Sequence, residues 1–306
     1  MFGKISKFFN NKIIRFGYLN RLGFYRYMSD AKFLELAYYV NFRKKVDLEH
    51  PVTFNEKLQW LKLYDRNPKY TTMVDKYAVK KYVADRIGEE YIIPTLGVWD
   101  KFEDIDFDQL PNQFVLKCTH DCGGLVICRD KLKLDIQAAK KKINKCLRRD
   151  YYSVHREWPY KNVKPRIIAE AYMEDSVTTE LRDYKFFCFN GEPKTLFVAT
   201  ERQKEGEEVK FDFFDMEYNH LEIRNGHPNA SVPPKKPSQF ELMKKLAAVL
   251  SQGIPHVRVD FYEVDGKVYF GEMTFFHFSG FVPFEPEEWD IQFGEWISLP
   301  KEEKSN

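Results

Sequence analysis

The chain has 306 residues, with 48 lysines and arginines against 46 aspartates and glutamates. That length suits one large domain or two lobes. Its 31% charged residues exclude a polytopic membrane protein, and its 16% aromatic residues exclude a disordered one. A net charge of +2 gives no reason to expect nucleic acid, and five cysteines, an odd number, fit free thiols in a reducing cytoplasm.

The charge is unevenly spread. Residues 1–28 carry Lys4, Lys7, Lys12, Arg15, Arg21 and Arg26 and no acid, leaving 42 basic against 46 acidic side chains in the rest. Phe2, Ile5, Phe9, Ile13 and Phe16 recur in this arm at helical spacing. No apolar run approaches the roughly 18 residues of a membrane span, and a secretory apolar centre is missing. Two expectations follow. The arm lies as an amphipathic helix on an anionic inner leaflet, or it packs on the body with a solvated basic face.

Residues 30–64 predict helix, opened by Ser29 and Asp30 and with Thr53 and Glu56 spaced as a capping box. Helix is expected again over 75–87, ended by Gly88. Short strands follow at 91–94, 114–118 and 125–128, then helix over 134–149. Strands at 166–171, 182–189 and 194–200 enclose the hairpin turn Asn190-Gly191. The proline-rich passage 225–237 reads as loop, 238–252 as helix and 256–275 as a closing hairpin. Helices mixed with hairpin-linked strands make an α+β protein, not an alternating βαβ one.

Four motifs bear on chemistry. In the first, Lys117 sits inside an apolar strand and Gly123-Gly124 follow. A lysine there needs an anionic partner, and paired glycines let backbone N–H groups approach phosphate. The alternative is a plain hairpin with Lys117 on an exposed edge; no Walker A loop is present. In the second, alternation puts Arg258, Asp260 and Tyr262 on one face of a strand. A two-residue Asp265-Gly266 turn would set Glu272 on the wrong face. A three-residue loop beginning at Val264 would align Asp260, Glu272 and Thr274. Two hard oxygen ligands there suit Mg2+ shared with phosphates; the alternative is two solvent-facing acids beside an arginine. In the third, the strand ending Glu170-Ala171-Tyr172-Met173 reads as an adenine hinge or as core. The fourth, Asp104, Asp106 and Asp108, offers the Asp-x-Asp pattern of many glycosyltransferases, though in a solvated linker. Cys118, Cys122 and Cys128 are not spaced for zinc. Among the histidines, His120 beside the glycines is the candidate ligand.

Taken in order, these pieces resemble the ATP-grasp superfamily, and in wording its TupA-like branch, associated with teichuronopeptide and capsular polysaccharide biosynthesis. The phrases that carry the resemblance begin at Asp75-Lys76, Lys117, Asp183-Tyr184-Lys185, Arg258-x-Asp260 and Gly271-Glu272, across roughly residues 50–300. The resemblance implies two α+β lobes clasping Mg-ATP. It also implies Lys76 and Lys117 on the phosphates, Gly123 and Gly124 as a lid, and Glu170, Ala171, Tyr172 and Met173 as the adenine hinge. Asp183 and Lys185 would line the cleft. Asp260, Glu272 and Thr274 would hold Mg2+, and Arg258, with Lys117, would act in catalysis. Thr274 departs from the usual asparagine. The usual Rossmann-like domain is replaced by a short helical region.

The expected organisation is therefore a basic arm at 1–28, a helical region at 29–74, an N-lobe at 75–165 and a C-lobe with the Mg2+ site at 166–306. The expected activity is an ADP-forming carboxylate–amine ligase of bacterial surface polysaccharide biosynthesis. It would join, for example, an amino acid to a uronic acid, on small-molecule or lipid-linked substrates, with ATP and Mg2+ and no nucleic acid. Its expected location is the cytoplasm, peripheral to the inner membrane face. A glycosyltransferase, an ATP-grasp sugar kinase and a non-enzymatic organiser of capsule assembly are the rival readings.

Overall fold

A computed structural model describes residues 11–176, 181–201, 206 and 208–300. Residues 1–10 of the arm, and with them Phe2, Ile5 and Phe9, lie outside the described residues.

The arm continues as helix α1 (Lys12–Arg21), capped by Asn11, whose side chain accepts from the Ile13 and Ile14 N–H groups. Phe16 is buried with Phe33, Leu34, Ala37, Tyr38 and Phe281. The expected helix over 30–64 is two helices, α2 (Asp30–Phe42) and α3 (Phe54–Tyr64). Arg43 ends α2 in the left-handed conformation, and Thr53 and Glu56 complete the capping box of α3 in both directions. Ser29 precedes α2 without a side-chain cap bond. Helix α4 (Lys69–Val74) comes next, and α5 (Ala78–Ile87) starts three residues later than expected and ends at Gly88. The strand expected at 91–94 forms instead as β1 (Thr95–Trp99), after a short 3-10 turn over Glu89–Tyr91.

Two antiparallel sheets organise the rest. The smaller has the order β1-β4-β2-β3, with β2 (Phe114–Cys118), β3 (Val126–Cys128) and β4 (Ile167–Ala171). Helix α6 (Ile136–Leu147) covers it, burying Ile143 and Cys146 among Leu116, Cys118, Ile167 and Ala169. A one-turn helix, α7 (Tyr152–His155), follows α6.

The larger sheet has six strands in the order β11-β10-β5-β6-β7-β8. They are β5 (Asp183–Phe189), β6 (Glu192–Thr200), β7 (Lys210–Phe214), β8 (His220–Leu221), β10 (His256–Val264) and β11 (Lys267–Thr274). A separate two-residue pairing joins β9 (Arg224–Asn225) to β12 (Phe284–Glu285). Helices α3, α5, α8 (Phe240–Ser251) and α9 (Glu288–Trp296) share a core with this sheet, built on Phe54, Phe186, Phe187, Phe213 and Phe293. Neither β7 nor α9 is visible as an element in the sequence pattern.

The closing hairpin corrects the expected loop. Val264 pairs with Lys267, so the turn is the two-residue one, with Asp265 and Gly266 both at positive φ. The extra residue lies instead in a bulge at Gly271: Phe261 pairs with Phe270, but Asp260 pairs with Glu272. A Cβ on Gly271 would stand 3.1 Å from the Asp260 carbonyl oxygen, so a larger residue would crowd the bulge. Asp260, Glu272 and Thr274 therefore do share a face, for a different backbone reason.

Candidate active site

A cleft of about 290 Å3 lies between the two sheets. On the smaller sheet, β2 carries Lys117 and β4 carries Glu170, and α5 brings Lys80 to the same place. Glu170 Oε2 meets Lys117 Nζ at 2.5 Å and Oε1 meets Lys80 Nζ at 2.6 Å. Burial alone would raise the Glu170 carboxyl, but Lys117 and Lys80 hold it below its ordinary value. The strand lysine thus has the anionic partner its position demands, supplied by the neighbouring strand.

On the larger sheet, register builds a row across three strands. Lys185 on β5 stands opposite Asp260 on β10, and Asp260 stands opposite Glu272 on β11. Lys185 donates to Asp260 Oδ2. Arg258, two residues before Asp260 and so on the same face, donates from Nε to Oδ1 at 2.7 Å and from Nη2 to Oδ2 at 2.8 Å. Its Nη2 also reaches Thr274 Oγ1 at 3.0 Å and Glu272 Oε1 at 3.4 Å. Burial would raise the Glu272 carboxyl, but Lys76, Lys185, Arg258 and Lys117 hold it at about 2. It is ionised at any working pH.

Of the residues singled out by sequence, Lys76, Lys117, Gly124 and Glu170 line the cleft, as do Asp183, Lys185 and Glu272. Asp260 is fully buried, so of the three oxygen donors Asp260, Glu272 and Thr274, Glu272 is the one that faces the cleft. Gly123, Ala171, Tyr172, Met173 and Arg258 stand outside the lining. The Ala171 N–H is bonded to Pro94 O, and the Tyr172 hydroxyl accepts from Arg129. The glycine loop is held from below by Asp121, which accepts from the N–H groups of Cys122 and Gly123 and from Arg149. Gly124 serves packing: a Cβ there would meet Cys146 Sγ at 2.4 Å. His120 is buried against Arg149 O and does not line the cleft. Asp106 is occupied by the Asp108 N–H and Gln109, and none of Asp104, Asp106 and Asp108 lines the cleft.

Sequence reading missed Lys80 and the apolar walls Ile92, Leu125 and Phe270. Lys80 had a signal, since it follows Lys76 by four residues, one helical turn. Ile92 and Phe270 meet through an isolated bridge that joins the two lobes, which no local pattern encodes.

The lysines and apolar walls fit a nucleotide. Among the described residues no group of three or more His, Cys, Asp or Glu side chains is set to hold a metal ion. One or two carboxylates completed by phosphates is the usual manner of Mg2+ binding; Glu272 fits that, whereas both oxygens of Asp260 are taken by Arg258 and Lys185.

Two antiparallel α+β lobes around such a cleft define an ATP-grasp protein. Residues 56–298 match the model of the TupA-like ATPgrasp family, and the chain belongs to that family. No curated protein matches the sequence. Among solved structures, the D-alanine–D-alanine ligase of Bacillus anthracis complexed with ATP is 16% identical, with a TM-score of 0.38. The match covers 66% of this chain and 53% of that one, so this chain spans about half the ligase's length. The D-alanine–D-alanine ligase of Helicobacter pylori is 12% identical over 80% of this chain and 69% of its own, with a TM-score of 0.38. The D-cycloserine synthetase DcsG is 16% identical over 74% and 70%, also at 0.38. These likenesses are too distant to transfer the role of any residue. No helix among the described residues is long and apolar enough to cross a membrane.

Proposed function

We propose that this protein is an ATP-dependent, ADP-forming carboxylate–amine ligase of bacterial surface polysaccharide biosynthesis, joining for example an amino acid to a uronic acid. The observation that carries the reading is the convergence of Lys76, Lys80, Lys117 and Lys185 with Glu272 on one cleft, inside a chain of the ATP-grasp family.

In this reading Lys76, Lys80 and Lys117 bind the nucleotide phosphates, with the loop at Gly123 and Gly124 closing over them. Glu170, Ala171, Tyr172 and Met173 edge the adenine, and Asp183 and Lys185 line the nucleotide's other side. Glu272 and Asp260, with Thr274 behind them, hold Mg2+, which when bound neutralises phosphate charge. The substrate carboxylate attacks the γ-phosphorus and ADP leaves; the amine then attacks the acyl carbon and phosphate leaves. Arg258 stabilises the developing negative charge at both stages, so the protein supplies position and charge, not a side-chain nucleophile.

With its second boundary moved from 166 to beyond β4, which pairs with β1 and β2 in the smaller sheet, and with α5 packed on the larger sheet, the lobe division belongs to the same proposal. So does attachment to an anionic membrane bearing lipid-linked substrates. Its support is that Leu22, Phe24 (70% exposed) and Tyr27 (96% exposed) are solvent-exposed in the same basic arm as the exposed Lys12, Arg21 and Arg26.

The deciding experiment incubates the protein with Mg-ATP while uronic acids and nucleotide sugars are crossed with amino acids, following ADP and phosphate. ADP that requires both a carboxylate and an amine supports the ligase. ADP with a phosphorylated sugar establishes the kinase, and AMP or no turnover overturns both.

A further inference from the structure

Behind Arg258 lies a chain of hydrogen bonds that the proposed reaction does not by itself explain. Arg258 donates from Nη1 to His277 Nδ1 at 2.7 Å, and His277 Nε2 meets Asn225 Oδ1 at 2.8 Å. Asn225 donates from Nδ2 to the carbonyl oxygens of Val282 and Pro283 at 3.2 and 3.0 Å. His277 is 2% exposed and Asn225 1% exposed, so neither bonds to bulk water in their place.

The donors fix the protons. Two carbonyls take the Asn225 amide hydrogens, so its oxygen faces His277 and accepts from Nε2–H. Nδ1 then has no proton and can only accept, which matches the guanidinium, which can only donate. Arg258, His256 and Lys185 are the titratable groups that bear on the ring, and burial together with all three opposes a second proton. The ring stacks edge-on against Phe187 and sits in a turn in which Phe278, Ser279 and Gly280 are all left-handed. Gln59 and Lys62 of α3 pin that turn, donating to the Gly280 and Ser279 carbonyls at 2.9 and 2.7 Å.

We propose that His277, locked in one tautomer by Asn225, is a positioning residue that fixes the Arg258 guanidinium behind Glu272 at the edge of the cleft. This rests on the reading of Arg258 as the group that stabilises the transferring phosphoryl.

The test uses the full chain. In 15N-histidine NMR of the unsubstituted protein, His277 is expected to be neutral with the proton on Nε2 from pH 5 to 9; an Nδ1 proton or a charged ring overturns the proposal. In ADP release, His277→Ala should lower kcat by about 10- to 100-fold with KM for ATP within about twofold, and His277→Gln, which keeps an acceptor, should recover most of it. Asn225→Asp should add a loss of kcat as pH falls, because a carboxylate there favours the doubly protonated ring and sets a donor against a donor. Equal losses in the Ala and Gln variants, or an unchanged pH profile in Asn225→Asp, overturn it. Arg258→Lys is assayed alongside. If that variant matches the parent, the catalytic reading of Arg258 fails, while the NMR result still decides the tautomer.

Discussion

The two walls of the cleft treat their buried cations differently. On the smaller sheet Lys80 and Lys117 share a single carboxylate, Glu170. On the larger sheet Lys185 and Arg258 meet three, Asp183, Asp260 and Glu272. One wall is short of negative charge and the other is closed on itself. A partly buried surplus of positive charge is costly until an anion arrives, which supports the proposal that the smaller sheet receives the phosphates. A closed network is rigid before the substrate comes, which suits a wall whose task is aiming.

Breaking the closed wall should have the largest effect. Arg258→Met removes the donor shared by Asp260, Glu272 and Thr274, and single-turnover ADP release should fall by about a thousandfold, roughly 4 kcal/mol of barrier. The thermal shift produced by Mg-ATP reports whether the fold survives. Acid attacks the same wall from behind. Burial holds His256 at about 3 and holds His277 well below its ordinary value, so both are neutral when folded. The unfolded chain takes up those protons near pH 6.5, so folding stability should fall as pH drops below about 6.5, by up to about 1.4 kcal/mol per pH unit for each ring. Denaturant midpoints between pH 7 and 5 measure this; a flat profile contradicts it.

The open wall is sharpened by two substitutions of opposite sign. Lys117→Ala should weaken binding of a non-hydrolysable ATP analogue by about 10- to 100-fold, the worth of a charge-assisted bond. Glu170→Gln should tighten triphosphate binding at low salt, seen by calorimetry, because it releases both lysines from their shared partner. Weakening in both variants would mean that the contact of Glu170 with the adenine edge outweighs the release of the two lysines. Glu272→Gln should raise the Mg2+ midpoint of ADP formation by about tenfold, as one charged ligand becomes neutral. The smallest effect belongs to the bulge: Gly271→Ala crowds the Asp260 carbonyl and Tyr262, each 3.1 Å from the new Cβ, and should cost about 1 kcal/mol in denaturant unfolding.

Much of this was legible in the sequence because it is local. The Thr53–Glu56 box, the Asn190-Gly191 turn and the alternation through Arg258 and Asp260 depend on neighbours in the chain, and all appear in the fold. What was missed depends on distant partners. Helix α9 contains Gly294, which reads as a helix breaker. The glycine is there because a Cβ would lie 2.1 Å from the Val52 carbonyl oxygen, a close approach no local rule anticipates. The hairpin loop was misread for the mirror-image reason: the face of Glu272 demanded one extra residue, and the pattern could not say whether turn or strand held it. Lys80 and His277 entered the site only once folding set them beside Glu170 and Arg258.

The Gly271 bulge also limits how this hairpin can change over generations. Beyond the bulge, strand position decides whether Glu272 faces the cleft and Met273 the core, or the reverse. The turn at Asp265 and Gly266 lies outside the paired register and can therefore change length without harm to the site. A single residue inserted between Lys267 and Phe270 with the bulge kept trades the carboxylate for a buried methionine. Descendants of this chain should vary in length at the hairpin tip and not between Lys267 and Glu272, and a lineage that loses the bulge should lose one residue from that strand.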